Sequence, residues 1–237
     1  MFLLRAAEGK RVVREKSIAI ADAVPDAERF SRPPSAPLQR KTSFQAIAPV
    51  PMHADDIHLE TARLILRPPT AADFEAWAEL AADEETMRHL GGVQPRSVAW
   101  RNFLAVVGGW QIQGFSPFSV IDKSSGRWLG RIGPLLPEGW PGTEIGWTLA
   151  RSAWGKGYAV EAATVAADWA FAHLGWSEII HCIDPANAAS QAVAERLGSH
   201  YLRPGRMPPP YEDANVEIWG QSRAAWFARR THKDSAQ

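Results

Sequence analysis

The sequence predicts an α+β or α/β domain built on one mixed sheet. Three observations carry this. Hydrophobic runs of period two alternate with runs of helical period along the chain. A Gly-x-Gly turn joins a strand pattern to a long alanine-rich pattern. And 237 residues with 46% hydrophobic and 22% charged content are enough to bury one sizeable core.

In order, "LETARLILR" (59–67) alternates Leu64 and Leu66 with Arg63, Ile65 and Arg67, which reads as a strand closed by Pro68 and Pro69. Thr70 caps a helix over 71–82, with Asp73 three residues on and Phe74, Trp77, Leu80 and Ala81 on its apolar face. Ser97 caps a second helix over 98–112, with Trp100, Leu104, Val107 and Trp110 at helical spacing. "SPFSVIDK", the turn "SSG" and "RWLGRIG" form a hairpin, and "PLLPEGWPG" is a loop. "TEIGWTLA" (143–150) is a further strand. Past Lys156 the pattern is helical, with Ala162, Val165, Ala166, Trp169 and Ala170 on one face, ending near Gly175. "EIIHCI" is a short strand, and residues 188–197 are a helix closed by Gly198. "HYLRP" and "NVEIWG" are the last strands.

Net charge is zero, so composition gives no reason to expect nucleic acid or an anionic membrane as partner. One cysteine, Cys182, excludes an internal disulfide and a multi-cysteine metal cluster and fits a reducing cytoplasm. Residues 1–51 hold 9 Lys/Arg against 5 Asp/Glu. With the Pro- and Ser-rich stretch from Arg29 to Pro51, they read as a flexible N-terminal extension, or as a start assigned too early, with Met52 the natural one. The folded domain is then 52–230, with a polar tail over 231–237.

The stretch "SAWGKGYAVEAA" (152–163) carries the chemistry. A strand, Gly155-Lys156-Gly157 and a helix start together form an anion site, because backbone N–H groups converge at the helix N-terminus. A P-loop is excluded, since Gly157 follows Lys156 where Ser or Thr is required. A dinucleotide fingerprint lacks its third small residue, Val160 standing there. A glycine-eased turn without ligand stays open on this spacing alone. His181 and Cys182 are neighbours on a strand and point to opposite faces, so they are no Cys–His nucleophile pair. Trp77, Trp110 and Trp169 read as core, and Cys182 as a small apolar residue.

The wider segment "EIGWTLARSAWGKGYAVEAA" resembles the acetyl-CoA motif of the GNAT superfamily of N-acyltransferases, whose fourth strand leads through a Gln/Arg-x-x-Gly-x-Gly/Ala turn into a helix. Gly157 and Ala159 match its two small positions. About 30 residues on, "NAASQAVAERLG" resembles the second cofactor segment, with Asn187 and Ser190 at its polar positions. The resemblance covers Leu59 to Phe227 and is greatest to the branch containing ribosomal-protein-alanine N-acetyltransferases.

What it implies is a single domain whose central mixed, mostly antiparallel sheet is flanked by helices and splayed between the family's fourth and fifth strands. Acetyl-CoA is the implied cosubstrate, with no metal. Its pyrophosphate is expected on the backbone of Gly155, Lys156, Gly157, Tyr158 and Ala159, beside Trp154. Its pantetheine is expected along Trp147, Thr148 and Leu149, with Asn187 and Ser190 at the second segment. The acceptor is expected to be a primary amine of a small molecule or a protein N-terminus, and a homodimer stays open.

The amine must lose its ammonium proton, with pKa about 10.4 for a lysine and about 8 for an α-amine. Glu144 matches a family position that often acts as base through water; a solvated strand-end carboxylate is the alternative. A backbone N–H on the same strand is expected to hold the oxyanion. Trp154 stands where the family has Gln or Arg, Ala194 where many relatives have a tyrosine acid, and Ser199 where an aromatic is usual. The resemblance to the ribosomal-protein branch, where a serine at this position takes the role, implies Ser190 as general acid, with Tyr201 and Tyr211 behind it; a pantetheine contact or a helix cap is the alternative for Ser190. Trp140 and Trp147 flank the expected amine entry, and one of them is expected to line the pocket.

Overall fold

Residues 57–234 are described by a computed structural model. The N-terminal extension and residues 235–237 lie outside the described residues. The stretch read as one strand over 59–67 is two, β1 (Leu59–Glu60) and β2 (Leu64–Arg67), paired antiparallel with Leu59 opposite Leu66. Thr61 divides them: its N–H donates to the Leu64 carbonyl (3.0 Å), and its Oγ1 accepts from the Leu64 N–H (2.9 Å). A 3-10 turn, Ala71–Asp73, leads into α1 (Phe74–Ala82), and the Asp73 carboxylate accepts from the Thr70 N–H at 2.9 Å. The short α2 (Glu84–Met87) follows.

The helix α3 spans Arg96–Gln113, so Ser97 lies inside it. The cap is Pro95, whose carbonyl accepts from the N–H groups of Val98 and Ala99. Its buried face is also rotated from the expected one. Ala99, Phe103, Val106 and Trp110 are inside, while Trp100 and Leu104 are exposed. Phe103 decides this rotation by packing edge-on against Trp77.

The remaining elements are β3 (Phe118–Asp122), β4 (Trp128–Leu135), β5 (Glu144–Leu149), α4 (Tyr158–His173), β6 (Glu178–Ile183), α5 (Ala188–Leu197), β7 (His200–Pro204), β8 (Glu217–Ser222) and α6 (Arg223–Asp234). Two expectations shift. The loop after the hairpin begins later, because Pro134 and Leu135 pair with Ile145 and Glu144. The residues read as a tail begin inside a helix, since α6 runs through Asp234.

The strands form one mixed, mostly antiparallel sheet in the order β1-β2-β3-β4-β5-β6-β8-β7. Successive strand residues point to opposite faces, so Ile132 and its neighbour Arg131 report the two sides. Ile132 packs in the core beneath α4, where Ala162, Ala163, Ala166, Ala167 and Ala170 are at most 1% exposed. Methyl side chains let that helix lie close on the sheet. Arg131 faces Trp77 of α1 on the other side. Trp77, Trp110 and Trp169 are core, as read from the sequence.

Candidate active site

Among the described residues β5 and β6 are the one parallel pair, and they share a single register position, Glu144 opposite Ile180. Beyond it the strands diverge into a gap whose edges can be read from hydrogen-bond parity. The Ala150 N–H donates across to Leu129 on the β4 side (2.8 Å), and alternate residues of a strand point their polar groups to the same edge. Residues 145, 147 and 149 therefore face the gap. Three carbonyls on this edge are occupied. Thr143 accepts from the Ile180 N–H (2.9 Å), Ile145 from the His181 ring (2.7 Å) and Leu149 from the Trp154 indole (2.7 Å). The Trp147 N–H opens on the gap and finds no acceptor among the described residues.

Glu144 stands at the apex. It is buried, and its two oxygens accept from the Cys182 N–H (Oε1, 3.2 Å) and the Trp140 Nε1–H (Oε2, 2.5 Å). Its carboxylate thus intercepts a β6 amide that would otherwise extend the ladder, so this side chain helps to open the gap. Burial pushes its pKa above the ordinary carboxylate value, against the pull of the Trp140 and Cys182 hydrogen bonds. The solvated strand-end reading of Glu144 does not hold, because the side chain is enclosed. Cys182 is half-buried beside it, and burial together with the Glu144 charge pushes its thiol pKa up. The thiolate needed for a nucleophile is disfavoured.

Glu144, Gly146 and Thr148 share a sheet face with Arg131, whose partner across β4 and β5 is Thr148. Trp140 and Tyr211 meet over this face with ring centroids 6.4 Å apart. Trp140, not Trp147, is therefore on the Glu144 side.

The opposite face is organised by a residue the sequence reading set aside. His181 is buried, and its pKa is lowered to about 4 by burial, so it is neutral at pH 7. A carbonyl can only accept, so Nδ1 carries the proton given to Ile145. Nε2 then accepts from the Ser199 hydroxyl (2.9 Å), which accepts from the Gln221 amide (3.0 Å). Gln221 also donates to the Leu197 carbonyl (2.9 Å). This chain ties α5 and β8 to the edge of β5 without closing the gap. Ser199, where the sequence departs from the usual aromatic, is a link in it.

Trp147 packs on the His181 ring with centroids 4.7 Å apart, and its Nε1–H donates to the Ser190 hydroxyl (3.2 Å). That leaves the Ser190 hydroxyl hydrogen free to be donated. Ser190 sits in the first turn of α5, where Asn187 caps its N–H through Oδ1 (3.0 Å). Asn187 retains its NH₂ for another acceptor. Glu144 and Ser190 thus lie on opposite faces of the sheet with the gap between them. Tyr201 is exposed against Trp219, on the far side of β8.

At the far end of β5, Gly155 and Gly157 adopt φ of +71° and +78°, a left-handed conformation that glycine takes without strain. The amides of residues 155–159 donate to no acceptor among the described residues, and α4 starts directly behind them. Trp154 is turned onto the Leu149 carbonyl, and the Lys156 Nζ is turned back onto the Ser152 carbonyl (2.7 Å). Neither of those side chains is free. Arg63, read from the sequence only as an outward strand position, braces the turn. It donates to the Lys156 carbonyl (2.9 Å) and to Glu161 (2.7 Å), and stacks over Tyr158 at 4.5 Å. No spacing rule could have found a pair 98 residues apart.

The fold and site can now be set beside known proteins. The chain is 41% identical over 92 residues to the uncharacterized protein YkkB of Bacillus subtilis, a match covering 38% of this chain and 54% of that one; it therefore spans about half the length of that relative. It is 28% identical to the uncharacterized N-acetyltransferase p20 of Bacillus licheniformis, over 59% of this chain and 80% of that one. An acetyltransferase from Agrobacterium tumefaciens has a similar solved structure, with TM-score 0.62 and 30% identity, covering 70% of this chain and 95% of that one. The model of the acetyltransferase (GNAT) domain matches residues 63–200, more than half of the chain, and with the divided sheet described above this shows that the chain belongs to the GNAT acetyltransferase family.

Proposed function

We propose that this protein transfers an acetyl group directly from acetyl-CoA to a primary amine of a small molecule or a protein N-terminus. The observation that carries the reading is the gap between β5 and β6, with a buried carboxylate at its apex and five unpaired amides at its far end. A pyrophosphate laid on residues 155–159 satisfies those amides and meets the positive end of the α4 dipole. A pantetheine along residues 147–149 takes the place of a paired strand, and the Asn187 NH₂ and Ser190 lie on its path.

Glu144, with its raised pKa, takes one proton from the ammonium through a water and passes it to solvent. The amine nitrogen then forms the new C–N bond while the Trp147 N–H holds the oxyanion. On collapse the C–S bond breaks, and Ser190 supplies the proton that the departing sulfur takes up. The nitrogen gives its second proton through the same water to Glu144, which has released the first to solvent, and Ser190 regains a proton from solvent, so the products are the amide, the thiol and one proton. With the Cys182 thiol disfavoured as a nucleophile, direct transfer needs no acyl-enzyme.

The test is amine-dependent release of CoA, followed with a thiol reagent over a panel of amines. Turnover with at least one amine is expected, with kcat lowered about 100-fold or more in Glu144→Gln. The acid limb of the wild-type pH profile should lie above the ordinary carboxylate range, because Glu144 acts only after losing its proton. Tight CoA binding without release on any amine would show a silent acyl-CoA-binding module instead.

A further inference from the structure

Arg131 is a charge without a hydrogen-bonded counterpart among the described residues. Among the described residues, the other arginines that are not fully exposed each bond an oxygen: Arg67 to Asp73 at 2.7 Å, Arg229 to the Arg196 carbonyl at 2.6 Å and Arg230 to Asp168 at 2.6 Å. Arg131 has neither a hydrogen-bond partner nor an ion-pair partner among the described residues. It projects from β4 onto the Glu144 face of the sheet, with its guanidinium 4.7 Å over the Trp77 ring. Trp77 is itself 4% exposed and fixed against Phe103 and Trp128. One face of the guanidinium is thus held by stacking, while its edge, the fork that binds oxyanions in pairs, is unused.

Its surroundings make this a ligand position. Glu144 is the charge that acts on it, and Glu144 and Tyr211 both contact Trp140 on this face. Glu144 makes no hydrogen bond to it; its two oxygens accept instead from Trp140 and Cys182. The face where the amine is to be deprotonated therefore holds a carboxyl group at one point and a cation without a hydrogen-bonded partner at another. Desolvation lowers the Arg131 pKa, which is the cost an arriving anion would remove.

We propose that the acceptor is an amine that also carries an oxyanion, a carboxylate or a phosphate, and that Arg131 binds this group while the amine lies at Glu144. The proposal rests on the acetyl-transfer reading for the identity of the second substrate. Polyamines and other acceptors with a second cation are disfavoured, because they bring like charge to Arg131.

The experiment is calorimetric titration of the CoA-saturated protein with ω-amino carboxylates of increasing length, aminoalkyl phosphates, the matched alkylamines and diamines. Wild-type protein should bind at least one acidic member about tenfold or more tightly than its matched alkylamine, and the carboxylate and phosphate arms show which oxyanion is preferred. Arg131→Gln should abolish that ratio, and Arg131→Lys, which keeps the charge and loses the fork, should retain part of it. CoA affinity serves as the check that each variant is folded. Alkylamines or diamines binding as tightly as their acidic partners in the wild type, or a ratio unchanged in Arg131→Gln, would overturn the proposal. CoA release measured on the same compounds separates the two readings. Selective binding without release defeats acetyl transfer and leaves the Arg131 site standing, whereas release from plain alkylamines that ignores Arg131 does the reverse.

Discussion

His181 shows how much one residue can conceal in a sequence. Its neighbour Cys182 drew attention as a reactive pair, and strand alternation correctly separated the two, but nothing in "EIIHCI" announces that the imidazole spans Ile145 and Ser199. The partners lie 36 and 18 residues away and are joined by topology alone. The arrangement has a measurable consequence. The His181 pKa is about 4 when folded against 6.5 ordinarily, so the unfolded chain binds the proton more readily. The stability it contributes is present above pH 6.5 and is lost as pH falls toward 4, on the order of 3 kcal/mol in all. Glu144 acts in the opposite direction, since a raised folded pKa favours the folded state at low pH. Urea unfolding of wild type and His181→Phe at pH 7 and pH 5 isolates the histidine. The stability difference between the two proteins should shrink at pH 5, and a constant difference would show that His181 does not titrate across folding. Glu144 itself was legible as a candidate base; its burial was not, because Trp140 and Cys182 reach it only in the folded chain.

Among the elements, the long helix after the glycines was the easiest to read and its support the hardest. Its small apolar face and glycine start are local features, written within twenty residues. The brace is not local. Arg63, on the short turn between β1 and β2, joins the Lys156 carbonyl and Glu161 of the first turn of α4, and Thr61 adds a 2.5 Å bond to the same carboxylate. Exposed ion pairs contribute little to stability, so this one is best understood as holding the shape of the turn. Arg63→Met should therefore lower acetyl-CoA affinity about tenfold while leaving the melting temperature within a few degrees of wild type. A variant with unchanged affinity would assign Arg63 to the surface alone. The rotation of α3 teaches a similar lesson. Trp100, Leu104, Val107 and Trp110 fit helical spacing, but Phe103 packs better against Trp77, and tertiary contact set the buried stripe.

At the scale of the whole molecule, the order of strands and helices and the mixed sheet were legible from periodicity, and the cofactor from two motifs placed in register. The gap was not legible from pattern alone. It arises because β5 and β6 pair at one position and then part, with Glu144, His181 and Trp147 occupying the space where a ladder would run. Both edges of the opening are polar, and the far end is a ring of unused amides at Gly155 to Ala159. Under the proposed function acetyl-CoA completes this divided sheet. The most direct test is calorimetric titration of acetyl-CoA into wild type and Gly157→Val. At φ +78° a β-branched residue is strained and the cradle must move. With circular dichroism showing both proteins folded, a loss of affinity of about tenfold or more is expected in the variant, and an unchanged affinity would show that the glycine turn does not hold the cofactor.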